Sequence, residues 1–198
     1  MRLDHAIISD WIQPGSRVLD LGCGDCALLR ELEQSRNITG YGLELNIDKL
    51  ARCVAGGTPV IQANLDQGLN TWFDAQSFDY VIMTHTLQAM RHPERLLQEM
   101  VSIGREAIVT FPNMGYWLNR LQFGLGGHMP VTKTLPYGWY DTPNIHLCTV
   151  RDFEALCEEL GLRILAREMI DRQQRSRALM RLAPNLLAET AVYRLAAQ

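Results

Sequence analysis

The sequence predicts an α/β protein, a doubly wound and mostly parallel sheet of seven strands. Three observations carry that expectation. Apolar segments of strand length alternate with segments of helical period along nearly the whole chain. Residues 18–26 read Val-Leu-Asp-Leu-Gly-Cys-Gly-Asp-Cys, an apolar strand that runs into a turn built around Gly22 and Gly24. Glu44, twenty residues past Gly24, closes the run Gly40-Tyr-Gly-Leu-Glu44. A doubly wound sheet places the acid that grips ribose hydroxyls at the end of its second strand.

The elements follow in order. An opening helix carries Ile7, Ile8, Trp11 and Ile12 on one face and stops at Pro14-Gly15, a pair that does not continue a helix. Strand 17–21 feeds through the glycine turn into a helix bearing Leu28, Leu29 and Leu32, and the second strand is 38–43. Asn46 can cap a helix with Leu50 and Val54 inward, Gly56-Gly57 ends it, and residues 59–63 are the third strand. Phe78–Thr84 is the fourth. Pro93 opens a helix whose buried stripe is Leu96, Leu97, Met100 and Ile103, and strand 107–111 is closed by Pro112. Thr149 caps a helix with Phe153, Leu156, Cys157 and Leu160, and strands 162–169 and 188–195 complete the sheet. Between those two, Arg172, Arg175, Arg177 and Arg181 read as a solvated loop or as a contact with an acidic partner surface.

Composition bounds the function classes. With 198 residues and 47% hydrophobic content the chain can bury one core, and a single domain over 1–198 is expected. A net charge of −3 with both signs interspersed gives no field that would gather nucleic acid. Five cysteines, an odd number without a leader segment, suit a reducing cytosol. No apolar run approaches the roughly 20 residues needed to span a bilayer, so a soluble, cytoplasmic protein is expected.

The glycine turn defines a ligand class. Glycine lets the backbone approach a ligand closely, and the following helix offers unpaired N–H groups at its first turn. A dinucleotide fingerprint would have a third glycine near position 27, where the chain has Cys26, Ala27 and Leu28. Asp20, inside the strand, would repel a pyrophosphate. It would instead receive a cationic amino group, in a charge-assisted hydrogen bond of roughly 1.5–3 kcal/mol. An ammonium together with a ribose describes S-adenosylmethionine.

On these residues, over about 15–112, the chain resembles the class I S-adenosylmethionine-dependent methyltransferases, whose first motif is hydrophobic-Leu-Asp-x-Gly-x-Gly. The resemblance implies a Rossmann-like sheet with its last strand antiparallel. It also implies S-adenosylmethionine or S-adenosylhomocysteine held by Asp20, Gly22, Cys23, Gly24, Glu44, Leu45, Asn64, Leu65 and Thr84. Asn64 departs from the pattern, which usually has Asp there to bond the adenine while its apolar neighbour packs on the ring. Because Asn64 and Cys26 are off-pattern, a fold that has lost its ligand is a further alternative.

Cys23 and Cys26 form a Cys-x-x-Cys, which is first of all a candidate redox or metal motif. Zinc needs two more ligands at matching spacing, and Cys53, Cys148, Cys157 and the five histidines supply no compact partner motif. Small cysteines filling a turn are the expectation, with no metal.

Residues 113–148 break the alternation. Tyr116, Trp117, Tyr137, Trp139 and Tyr140 crowd there, and the prolines at 130, 136 and 143 with glycines at 115, 124, 126, 127 and 138 make irregular backbone. The segment follows the fifth strand, at the carboxyl edge where such sheets bind substrate. It is read as a surface for substrate or a partner protein, with a lid packed on the core as the plain alternative. The string Leu135-Pro-Tyr-Gly-Trp-Tyr-Asp-Thr-Pro-Asn-Ile-His-Leu-Cys-Thr149, with Thr86-Leu-Gln-Ala89 and Phe111-Pro-Asn113, resembles the MetW family of methionine biosynthesis proteins over almost the whole chain. That resemblance implies a partner, the homoserine O-acyltransferase MetX, whose activity the chain would support. The competing reading is a methyltransferase for a small molecule, with His85 the first candidate for general base and Tyr140 and His146 next. Asp141 and Asn144, beside Pro143, are turn formers before they are ligands.

Overall fold

The computed structural model describes residues 2–171, 173, 180 and 182–198. The order is α1 (Leu3–Trp11), β1 (Arg17–Leu21), α2 (Ala27–Arg36), β2 (Thr39–Glu44), α3 (Ile47–Ala55), β3 (Val60–Gln62), β4 (Phe78–Thr84), α4 (Pro93–Ile103), β5 (Gly104–Pro112), α5 (Trp117–Gly126), α6 (Val150–Glu159), β6 (Leu162–Ile170), α7 (Pro184–Leu187) and β7 (Thr190–Ala197). The seven strands lie in the order β3-β2-β1-β4-β5-β7-β6. All neighbours up to β5 are parallel, and β7 runs antiparallel between β5 and β6. The direction of winding reverses between β1 and β4, where open α/β sheets leave a crevice at the carboxyl ends of the strands.

Alternation along the strands makes two cores. Leu19, Leu21, Val81, Met83, Val109 and Phe111 face one side, with Leu96, Leu97 and Met100 of α4 and Phe153 of α6. Val18, Tyr80, Ile82 and Ile108 face the other, with Ile8 of α1 and Leu28, Leu29 and Leu32 of α2. A strand covered on both faces is apolar at almost every position, which makes the carboxylate at Asp20 conspicuous. Phe111, Phe153 and Tyr193 close the first core at centroid distances of 4.7–5.9 Å.

The caps form where the residues call for them. Asn46 accepts the N–H groups of Asp48 and Lys49, and Thr149 forms a capping box with Asp152. Two expectations are corrected. In α3 it is Cys53 that is buried, while Val54 is 60% exposed. The helix covers the sheet edge, where β3 is a short strand of three residues and offers little to bury against. Residues 113–148 are not all irregular: α5 spans ten of them and runs through Gly124, with Gly127 left-handed beyond its end. Trp117, Leu121 and Leu125 recur in it at helical spacing, but all three stand exposed, and its one buried side chain is Asn119. The arginines at 172, 175, 177 and 181 lie outside the described residues. Among the described residues no helix is long and apolar enough to cross a membrane.

Candidate functional site

The glycine turn is built by hydrogen bonds to the neighbouring strand. At the end of β1 the N–H groups of Gly22 and Cys23 both donate to the Leu43 carbonyl of β2, at 2.8 and 3.1 Å. Gly22, Gly24 and Cys26 all adopt left-handed φ, at +71°, +61° and +60°. Gly22 has no alternative: a Cβ there would stand 2.7 Å from Thr86 Oγ1. Glu44, 8% exposed, holds the turn from the other side. Its Oε2 accepts the Gly24 N–H at 2.8 Å, and its Oε1 accepts the Asn46 N–H at 2.9 Å. The acid therefore secures the loop with one lone pair of each oxygen and retains further acceptor capacity for hydroxyl groups.

Asp20 is buried, and its Oδ1 has no hydrogen-bond partner among the described residues. Burial, reinforced by the negative charge of Glu44, pushes its carboxyl up to about 7. A buried carboxylate without a cation is costly, so the arrangement suits a ligand that brings a positive charge.

The remaining sequence candidates gather along the same edge, at the ends of β2, β3 and β4. Leu45 is 60% exposed, directly after β2. The Asn64 side chain accepts the Asp66 N–H at 3.0 Å, and so starts a short 3-10 turn that buries Leu65. Thr84 is half-buried at the end of β4. His85 follows it in a left-handed conformation, φ +54°, with its N–H donating to the Thr110 carbonyl at 2.9 Å. Non-glycine residues in that region are uncommon and gather at functional sites.

His85 has a partner that sequence reasoning missed. Its Nε2 lies 3.3 Å from Asp4 Oδ2, a buried carboxylate of α1. Burial works against the Asp4 charge, but the His85 hydrogen bond and the charges of Arg2, His85 and His5 outweigh it and hold the carboxyl at about 2. His5 in turn pairs with Glu31 of α2 at 2.8 Å. Asp4 interrupts the apolar face of α1, and that interruption was the available signal.

The cysteine expectation is corrected as well. Cys53 does supply a partner: Cys23, Cys26 and Cys53 bring their sulfurs together, buried beneath the glycine turn. A disulfide joins Cys26 to Cys53, and Cys23, Cys148 and Cys157 are free. The spacing gave no hint, because the third sulfur arrives from α3 through the β2 crossover.

Beyond β4 and β5, the three strings singled out in the sequence meet in one hydrogen-bonded assembly. Gln88 Nε2 donates to the Pro112 carbonyl at 3.1 Å, and the Gln88 carbonyl accepts the N–H groups of Ile145 and His146, both at 2.9 Å. Asn113, fully buried, bonds Gly115, Val150, Asn185 and Ala188 through its side chain. On this frame Trp139 and Tyr140 stand 76% and 78% exposed, packed edge to face, and Leu125 of α5 is 83% exposed. Tyr140 faces outward in the described arrangement, and His146 Nε2 lies 3.4 Å from the Arg91 carbonyl.

Comparison with known proteins gives two kinds of likeness. The family model described as "Methionine biosynthesis protein MetW" matches residues 2–195. The bifunctional methionine biosynthesis protein MetXA/MetW of Rhodopirellula baltica is 34% identical over 201 residues, covering 97% of this chain. The chain spans only 32% of that relative's length. Among solved structures, an S-adenosylmethionine-dependent methyltransferase from Mesorhizobium loti is similar with a TM-score of 0.70 at 18% identity, over 98% of this chain and 97% of that one. A second, from Archaeoglobus fulgidus, gives 0.67 at 16% identity over 96% and 93%. The cyclase SpnF gives 0.68 at 12% identity over 98% and 80%. At these identities the likeness shows the fold, which serves more than one reaction.

Proposed function

Because the chain belongs to the MetW family of methionine biosynthesis proteins, we propose that it is an accessory subunit of the homoserine O-acyltransferase MetX, with a pocket for S-adenosylmethionine or S-adenosylhomocysteine. One observation carries the partnership: a relative whose name joins MetXA and MetW in a single chain. Joining two proteins keeps them at high effective concentration, and this is of use to partners that act together. The exposed aromatics Trp139 and Tyr140, on their hydrogen-bonded frame, are the docking surface, since large aromatics dominate the energetics of interfaces.

The pocket reading rests on Asp20. Its unpartnered oxygen accepts the ligand's ammonium group, Glu44 accepts the ribose hydroxyls, and Gly22, Cys23 and Gly24 let the backbone lie against the ligand. Leu45, Asn64 and Leu65 border the adenine, and Thr84 the methionine portion. Bound S-adenosylmethionine would supply an electrophilic methyl group, or serve as a signal of methionine status. A coupling of about 1–3 kcal/mol between pocket and docking surface suffices for regulation.

The deciding experiment measures MetX acyltransferase activity with and without this protein, each at zero and saturating S-adenosylmethionine, with S-adenosylhomocysteine assayed in the same tubes. Activation without S-adenosylhomocysteine supports the accessory subunit, and dependence of that activation on the ligand makes it a sensor. No activation sinks the proposal.

The Asp4–His85 pair favours a second reading, a small-molecule methyltransferase. His85 would accept the acceptor's proton while the Asp4 carboxylate stabilises the imidazolium. Methyl transfer also asks for positioning, which is worth on the order of 7–11 kcal/mol. A broad metabolite screen that yields no S-adenosylhomocysteine from ligand-loaded protein would end this reading.

A further inference from the structure

The three sulfurs beneath the glycine turn take no part in the readings above. Cys26 ends the turn immediately before α2, and Cys53 is the one side chain of α3 that is buried. Their disulfide ties the start of α2 to α3 across Gly24, whose carbonyl lies 3.3 Å from Cys53 Sγ. Cys23 Sγ lies 3.4 Å from Cys26 Sγ and 4.0 Å from Cys53 Sγ. The sheet leaves room for this cluster at the cost of a strand residue. A Cβ on Gly42 of β2 would stand 2.5 Å from Cys23 Sγ and 3.4 Å from Cys26 Sγ.

We infer that the Cys26–Cys53 pair is a reversible redox site that controls the order of the glycine turn and, through it, the affinity of the pocket. The second half rests on the adenosyl pocket proposed above. Reduction by a dithiol breaks the S–S bond: two electrons and two protons pass to the Cys26 and Cys53 sulfurs, and the dithiol becomes a disulfide. The turn then loses its covalent tether. In exchange it gains at most a weak bond from the Cys53 thiol to the Gly24 carbonyl. Gly24 N–H is the group that Glu44 holds at 2.8 Å, so loosening the turn loosens the contact between loop and acid that presents both to a ligand. Preorganisation of that kind enters affinity directly. Cys23 does not scramble the pairing. Burial, with the charges of Asp20 and Glu44, pushes its thiol up to about 12, so it is not the thiolate that exchange requires.

Both bridged sulfurs are fully buried, so a reductant reaches them only when the turn opens. By linkage, a ligand that closes the turn must protect the disulfide as much as the disulfide favours the ligand.

The test uses the full chain, oxidised with glutathione disulfide or reduced with dithiothreitol. Maleimide labelling after denaturation is expected to find three thiols in the oxidised chain, namely Cys23, Cys148 and Cys157, and five in the reduced one. Hydrogen exchange over residues 22–27 should quicken about tenfold on reduction, with a similar fall in S-adenosylhomocysteine affinity by calorimetry. Saturating S-adenosylhomocysteine should slow the reduction. The variant Cys26→Ser/Cys53→Ser should take the reduced values and ignore dithiothreitol; should it fail to fold, the wild-type comparison still decides. Five thiols after oxidation, a mapped pairing other than Cys26–Cys53, one zinc ion bound per reduced chain, or equal exchange in both states would each overturn the inference. A clear difference in exchange with no ligand binding in either state would keep the tether and remove the pocket reading.

Discussion

Glu44 binds the backbone of Gly24 before it can bind anything else: its carboxylate accepts that N–H at 2.8 Å. The acid that the sequence marks for a ribose is thus also a strut of the glycine turn. Glu44→Ala should therefore weaken S-adenosylhomocysteine binding by roughly 2–4 kcal/mol, from lost hydroxyl and loop hydrogen bonds together. It should also lower Tm, by about 2–4 °C for each kcal/mol lost in a chain of this size. Calorimetry and thermal melts on the same preparation separate the two effects, and unchanged affinity would mean the pocket is misplaced.

Asp20 should make binding to the proposed pocket depend on pH. Its folded carboxyl lies at about 7, above the ordinary 3.8. The native state without ligand thus binds the extra proton between those values, and stability falls as pH rises from about 4 to 7, then levels. An ammonium ligand needs the ionised form, so binding below pH 7 expels the proton. Affinity should rise about tenfold per pH unit up to 7 and flatten above it. Titrations from pH 5.5 to 8.5 should show that profile in wild type and a flat, weak one in Asp20→Asn.

Gly22 is closed to side chains by Thr86. Gly22→Ala should destabilise the protein by about 1–3 kcal/mol, since φ is +71° and the new Cβ meets Thr86 Oγ1 at 2.7 Å. Adding Thr86→Ala relieves the clash but not the backbone strain, so partial recovery of denaturation midpoint is expected. Full recovery would show that sterics alone forbid a side chain there.

The aromatic surface should be separable from the pocket. Trp139→Ala with Tyr140→Ala removes two side chains more than three-quarters exposed, so Tm should stay within about 1 °C of wild type. Association with MetX should weaken by about 2 kcal/mol or more, as for aromatic anchors, with S-adenosylhomocysteine affinity unchanged. Undiminished association would move the interface elsewhere.

Asp4 contributes on the acid side. Its carboxyl is held at about 2, below 3.8, so its pairing stabilises the fold above about pH 4 and is lost as pH falls toward 2. Asp4→Asn should shrink the difference in Tm between pH 5 and pH 2.5, and Tm measured at both values reads it directly.

The strands were legible because a doubly covered sheet demands apolar residues at nearly every position, and two left-handed glycines with an acid twenty residues on mark the carboxyl edge. Asn46, Pro93 and Thr149 announced their helices because capping is local chemistry. Helix α5 was not read: Trp117, Leu121 and Leu125 recur at helical spacing, but the glycines at 124 and 126 pointed to irregular backbone, and the apolar residues stay exposed instead of marking a core face. Val54 was assigned inward by period alone, whereas the sheet edge admits only Cys53.

What the sequence by itself determined is what short range and period control: the fold class, the glycine turn, the positions of Asp20 and Glu44, and the strings that carry the family resemblance. Tertiary structure decided the rest. The order of the sheet set Cys53 beside Cys26, 27 residues away in sequence, laid Asp4 against His85, 81 residues on, and made Gln88 the knot between β5 and the aromatic segment. Such pairings depend on how crossovers bring distant residues to one edge, and no local pattern encodes a distance across the sheet.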